Sequence, residues 1–188
     1  MKKEIKTQIE RKKRERINYK WIIKIVIATF IISLLFSLLS ETVIRDVNVY
    51  IAIIILIVII SIGILFDMIG VAVTAADIEP FHSMSSRKVN GAKIAVNFKK
   101  NADKVSSFCN DVIGDICGII SGTVGVTIAL SLTKVLNIPL LISSLIVTSL
   151  IASLTIGGKA IFKSVAINKS NEILYEFAKI INMFKKQK

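Results

Sequence analysis

The chain has 188 residues, 53% hydrophobic and only 20% charged, with a formal charge of +12. So little polar chain leaves no room for a sizeable soluble domain beside the apolar stretches. It also argues against an enzyme, because no nucleophile–base set can be assembled from a chain with a single histidine, His82, and two cysteines.

Residues 1–20 form a basic tail, with nine Lys and Arg against Glu4, Glu10 and Glu15. The first apolar run follows at 21–39, and its one charge is Lys24, whose stem can snorkel to the headgroups. It is too long for a secretory h-region and no small-x-small cleavage site follows it, so it reads as a signal anchor. The second run begins at 49 and is set at 49–72. Its helix is expected to continue to about Ala76, with Pro80 ending it because the residue before proline avoids the helical region.

Residues 85–107 read as one amphipathic helix. Ile94, Phe98, Ala102 and Val105 share a face and lysines occupy the other. The third run, 116–132, is extended to 112–132, and the fourth is set at 138–158 with Pro139 in its first turn. The tail at 161–188 holds a second amphipathic pattern, Ile173, Phe177, Ile180 and Phe184, with Ser170 as its N-cap. Both amphipathic helices are suited to lying in the membrane interface.

A bilayer core takes roughly 20 apolar residues as helix, and lipid leaves no other way to satisfy the backbone of a lone segment. The fold expected is therefore all-α: four transmembrane helices within 21–160, plus two interfacial amphipathic helices. Basic residues crowd into 1–20, 77–104 and the tail after Gly158, whereas 40–48 has one Arg and 133–137 one Lys. The positive-inside rule then places both termini and the central segment in the cytoplasm of a multi-pass cell-membrane protein. The basic segments would meet anionic lipid headgroups. Nucleic acid is not an expected partner, because no aromatic residues are interleaved with the basic ones as a stacking platform. Cys109 and Cys117 read as small packing residues, and no covalent cofactor is expected.

Small and polar residues recur at helical spacing: Gly63, Asp67, Gly70 and Thr74; Asp111, Gly114, Asp115, Gly118, Gly122 and Gly125; Ser144, Thr148, Ala152 and Thr155. Such stripes let helix backbones approach closely in lipid and are expected to face protein. A carboxylate within a bilayer costs ~2.5–3.5 kcal/mol on insertion scales, so it calls for a functional reason. Asp67 and Asp115 stand near the same ends of neighbouring spans, with Asp111 one turn from Asp115. With Thr74 as a hydroxyl donor they form a candidate oxygen site for a hard divalent cation such as Mg²⁺. The plainer reading pairs the acids with Lys104 or Lys159. Gly157-Gly158-Lys159 is not a phosphate loop, because the upstream glycine is missing and a membrane helix precedes it.

From Phe66 to about Lys163 the chain resembles the transmembrane domain of the CorB/CorC/CNNM family, linked to magnesium and cobalt transport. A family phrase like F-S-x-S-E-T-A-L corresponds to Phe66-Asp67-Met68-Ile69-Gly70-Val71-Ala72-Val73. A basic helix follows with Asn90-Gly91-Ala92-Lys93-Ile94-Ala95. The family's I-G-N phrase becomes Ile113-Gly114-Asp115, and its G-E-x-x-P-K phrase becomes Thr155-Ile156-Gly157-Gly158-Lys159. The resemblance implies a compact three-helix core and a cation site in which Asp67 falls on the family's serine and Asp115 on its asparagine. The family's closing glutamate is replaced, no CBS pair follows, and an extra span precedes the core. The expected function is a minimal divalent-cation transporter or cation-binding membrane protein, assembled as a homodimer. The alternative is a non-transporting structural or accessory membrane protein that assembles through glycine-rich helix packing.

Overall fold

The computed structural model describes residues 19–44 and 48–186. The basic stretch before Tyr19 lies outside the described residues. The helices, in order, are α1 (Tyr19–Ile44), α2 (Val49–Ala75), α3 (Glu79–Ser86), α4 (Ala92–Lys100), α5 (Ala102–Ser107), α6 (Gly114–Leu136), α7 (Leu140–Asn168) and α8 (Ser170–Lys186). A π-helical turn, Phe108–Ile113, joins α5 to α6. Three helical stretches are long and apolar enough to cross a membrane: Val49–Ala75, Ala102–Leu136 and Leu140–Asn168. In α1 the apolar stretch recognised among the described residues is Val26–Leu35.

Helices α2, α6 and α7 pack on one another, and α1 lies mainly on α6. The bundle core follows the helical repeat. Ala52, Leu56, Ile60 and Ile64 recur every four residues on α2 and meet Val124, Ile128 and Ala129 of α6 and Val147 of α7. The helix ends are set by local chemistry. Asn48 caps α2, its Oδ1 accepting from the Tyr50 N–H at 3.2 Å. Asn137 ends α6 in the left-handed region at φ 53°, and Pro139 follows as the N-cap of α7. At that end Thr133 donates to Ser143 at 2.9 Å, tying α6 to α7 through a serine only 1% exposed.

At the opposite end the short helices and α8 close over α2. Val73, Ala76, Phe81, Ala95, Leu174 and Ala178 form a second buried cluster. Phe98 and Phe177 stack beside it with ring centroids 5.6 Å apart. Lys99 donates to the carbonyls of Val73 and Thr74, at 3.3 and 2.7 Å, satisfying acceptors that the last turn of α2 leaves open.

This end departs from the expected single interfacial helix over 85–107. The chain there breaks into α3, α4 and α5: Lys88 and Gly91 take positive φ, 56° and 83°, between α3 and α4, and Asn101, at φ −114° and ψ 35°, interrupts the helix between α4 and α5. Gly91 is required there: α8 passes so close that a Cβ would lie 3.1 Å from the Lys179 Cα. The expected stripe on α8 is also displaced. Leu174 and Ala178 turn inward, while Ile180 and Phe184 are exposed. The surface that α8 must match is the end of α2 with α4, so the residues fitting that groove are buried in place of the largest apolar set. Helix α7 continues past the expected end of its span to Asn168.

Candidate functional site: an ion pair between α2 and α7

Glycines decide how the three packed helices meet near Asp67. Gly63 faces Cys117, where an added Cβ would approach the Cys117 Cβ to 3.2 Å. One turn after Asp67, Gly70 leaves the space that the Asn110 side chain occupies. Gly158 brings the backbone of α7 against Ile64. Any larger residue at 70 or 158 would collide with these neighbours.

The close approach at Gly158 sets the next residue, Lys159, across the seam between α7 and α2. Its Nζ lies 3.1 Å from Asp67 Oδ1. It reaches there past Gly114, whose added Cβ would sit at an ordinary 3.8 Å from the ammonium. Asp67 is 18% exposed and Lys159 34%. At 1.5 Å per residue Asp67 stands about 27 Å along α2 from Val49, and Lys159 about 28 Å along α7 from Leu140. The two charges therefore share one depth, close to the thickness of a ~30 Å hydrocarbon core.

The neighbouring layer is polar as well. Asn110, on the π-helical turn, donates from Nδ2 to Ser106 Oγ at 3.4 Å. Its buried Oδ1 has no hydrogen-bond partner. That oxygen points at the Cα of Gly70, a contact of the weak Cα–H···O kind found where helices approach closely.

The four residues singled out from the sequence differ in their surroundings. Asp67 is held by Lys159, the second of the two lysines that the plainer reading named. Asp111 and Asp115 are exposed on α6 and its preceding turn, and among the described residues neither has an ion-pair partner. Thr74 is exposed, and its hydroxyl donates to its own helix at Val71 O, 2.8 Å away. Among the described residues, no three His, Cys, Asp or Glu side chains form a group able to hold a metal ion. Sequence reasoning missed Asn110 and Lys99. Asn110 sat unremarked in a polar run, Ser106 to Asp111, at the mouth of an apolar helix. Lys99 looked like one more solvated lysine.

The glycine stripe of α6 divides. Gly125 faces Ile151 and Val147 of α7, as expected of a packing glycine. Gly118 and Gly122 are exposed and have nothing within 4 Å of an added Cβ, and Gly157 of α7 is the same. The stripe as a whole therefore does not face protein within one chain.

Chemically, the site is one carboxylate neutralised by one tethered ammonium. A free cation can take Asp67 only if Lys159 swings away, and the flexible four-carbon lysine stem permits that motion. No family model, curated protein or solved structure matches this chain.

Proposed function

We propose that the chain is a minimal divalent-cation transporter or cation-binding membrane protein. Four helices span the cell membrane with both termini cytoplasmic, α1 being the fourth span. Asp67 and Asp115 are the ligands, with Thr74 and Asp111 in secondary roles. Lys159 is an internal counter-ion that occupies Asp67 until Mg²⁺ or a similar ion displaces it. The observation that carries this reading is the Asp67–Lys159 pair, held at 3.1 Å between helices otherwise packed through apolar residues and glycine. An ionisable group within a membrane span points to a functional role, and a buried ion pair is weak evidence for stability.

The test is thermal unfolding of the purified chain against Mg²⁺. A ligand that binds only the folded state stabilises it by about 2.7 kcal/mol at a hundredfold excess over Kd. Mg²⁺ should raise the midpoint of the wild type, and Asp67→Asn should abolish the rise. Lys159→Gln should destabilise the ion-free protein, since it strands a carboxylate, yet shift the Mg²⁺ response to lower concentration. No Mg²⁺ response in either the wild type or Lys159→Gln would overturn the reading.

A second reading is favoured by the open Gly118, Gly122 and Gly157: an accessory membrane protein that assembles through these faces, with itself as a homodimer or with a partner. Gly118→Leu separates the two. Within one chain the position has room for leucine, so loss of an oligomer in Gly118→Leu, without any Mg²⁺ response in the wild type, selects assembly over cation binding.

A further inference from the structure

A second polar feature lies away from the ion pair, where the turn between α3 and α4 meets the end of α8. There a cleft of about 280 Å³ opens, lined by Ser85, Lys88, Asn90, Gly91, Lys93 and Asn182 among others. Its lining contains two lysines and no acidic side chain. Neither lysine has an ion-pair partner among the described residues.

The cleft is assembled by the tertiary fold. Lys88 and Gly91 turn the chain through positive φ and so bring Lys88 and Lys93 to the same concavity from either side of the turn. The far wall is α8, which lies against Gly91 through the Lys179 backbone. Asn182 Nδ2 donates to Asn90 Oδ1 at 2.5 Å and ties that wall to the turn. This leaves the Asn90 amide hydrogens and the Ser85 hydroxyl as neutral donors beside the lysines. The first turn of α4 also opens at this cleft without a side-chain cap. Its positive end adds to the field of the two ammonium groups.

We propose that this cleft binds a phosphate group, carried either by an anionic phospholipid headgroup or by a soluble phosphate ester. The chemistry is common to both sources: several acceptor oxygens and a negative charge, matched by two ammonium groups, neutral donors and no competing carboxylate. A divalent cation is the wrong ligand here, because the charge of the lining would repel it.

The experiment uses the full chain in neutral detergent and follows its unfolding midpoint. The probes are inorganic phosphate, against chloride at matched ionic strength, and short-chain phosphatidylglycerol, against phosphatidylcholine. A saturable rise with phosphatidylglycerol alone assigns the cleft to a lipid headgroup, and a rise with inorganic phosphate too assigns it to a soluble phosphate. In either case Lys88→Asn with Lys93→Gln should weaken apparent binding at least about tenfold, from the loss of two charge-assisted contacts. Asparagine tolerates the positive φ at 88. Lys163→Gln, an exposed charge elsewhere on α7, should leave binding unchanged. Should the double variant fail to fold, Lys93→Gln alone is read in the same way. The proposal is overturned by no saturable rise with either probe, or by equal weakening in Lys163→Gln.

Discussion

The apolar bundle and the helical cap at its Asp67 end are built from the same element, yet they are held together differently. In the bundle, Leu56, Ile60 and Ile64 meet Val124 and Ile128 through faces hardly more apolar than those left outside. Ile54, Ile57 and Leu145, for example, are more than half exposed. Lipid tails are as apolar as leucine, so burial against another helix gains packing but little transfer free energy. What distinguishes the inner face is shape: Gly63, Gly70, Gly125 and Gly158 admit neighbours that a side chain would exclude. In the cap the polar faces of short helices surround a small cluster centred on Phe81 and Leu174, and ordinary hydrophobic burial applies. Apolar area therefore locates the cap's core and says little about the bundle's.

The largest effect that sharpens this contrast is expected in the cap. Leu174→Ala removes a fully buried side chain and should cost about 2–5 kcal/mol, as for other core truncations. The loss should appear first as protease sensitivity of α8. Ile60→Ala in the bundle should cost less when both are measured in one bilayer mimic. Equal losses would show that the two cores do not differ as described.

Next in size is Gly70→Ala. Its methyl group would land on Asn110, and overpacking of this kind costs about 1–3 kcal/mol. Asn110→Ala should relieve most of that penalty, so a double-mutant cycle on thermal stability should show strong coupling. Gly122→Ala, with nothing within 4 Å, should be neutral in the same assay. A Gly122→Ala as damaging as Gly70→Ala would mean that a partner covers that face.

The smallest effect is at the junction between the two regions. Lys99→Gln removes the ammonium that caps the last carbonyls of α2, and charge at a helix end is typically worth about 0.3–1 kcal/mol. Hydrogen exchange should rise in the α2 turn around Val73 before any change in the bundle. A variant that instead loosens the bundle, with the turn unaffected, would remove Lys99 from this role.

Hydropathy alone determined that helices dominate this chain and where three long apolar ones run, because lipid demands continuous helices of a set length. Pro139 likewise marked the start of α7, since proline acts through local sterics, whereas Pro80 does not end α2, which stops at Ala75, but sits in the first turn of α3. Period and charge did not determine how the cap folds. A stripe such as Ile173, Phe177, Ile180 and Phe184 says that a helix has an apolar face, and only the groove formed by α2 and α4 selects Leu174 and Ala178 for burial. The partner of Asp67 was narrowed to two lysines by sequence, and the choice of Lys159 came from Gly158 drawing α7 onto Ile64. Glycine spacing marked where helices can approach. Which glycines do so depends on the rotation of each helix about its axis. That rotation is a collective property of the packed bundle and is written in no single segment.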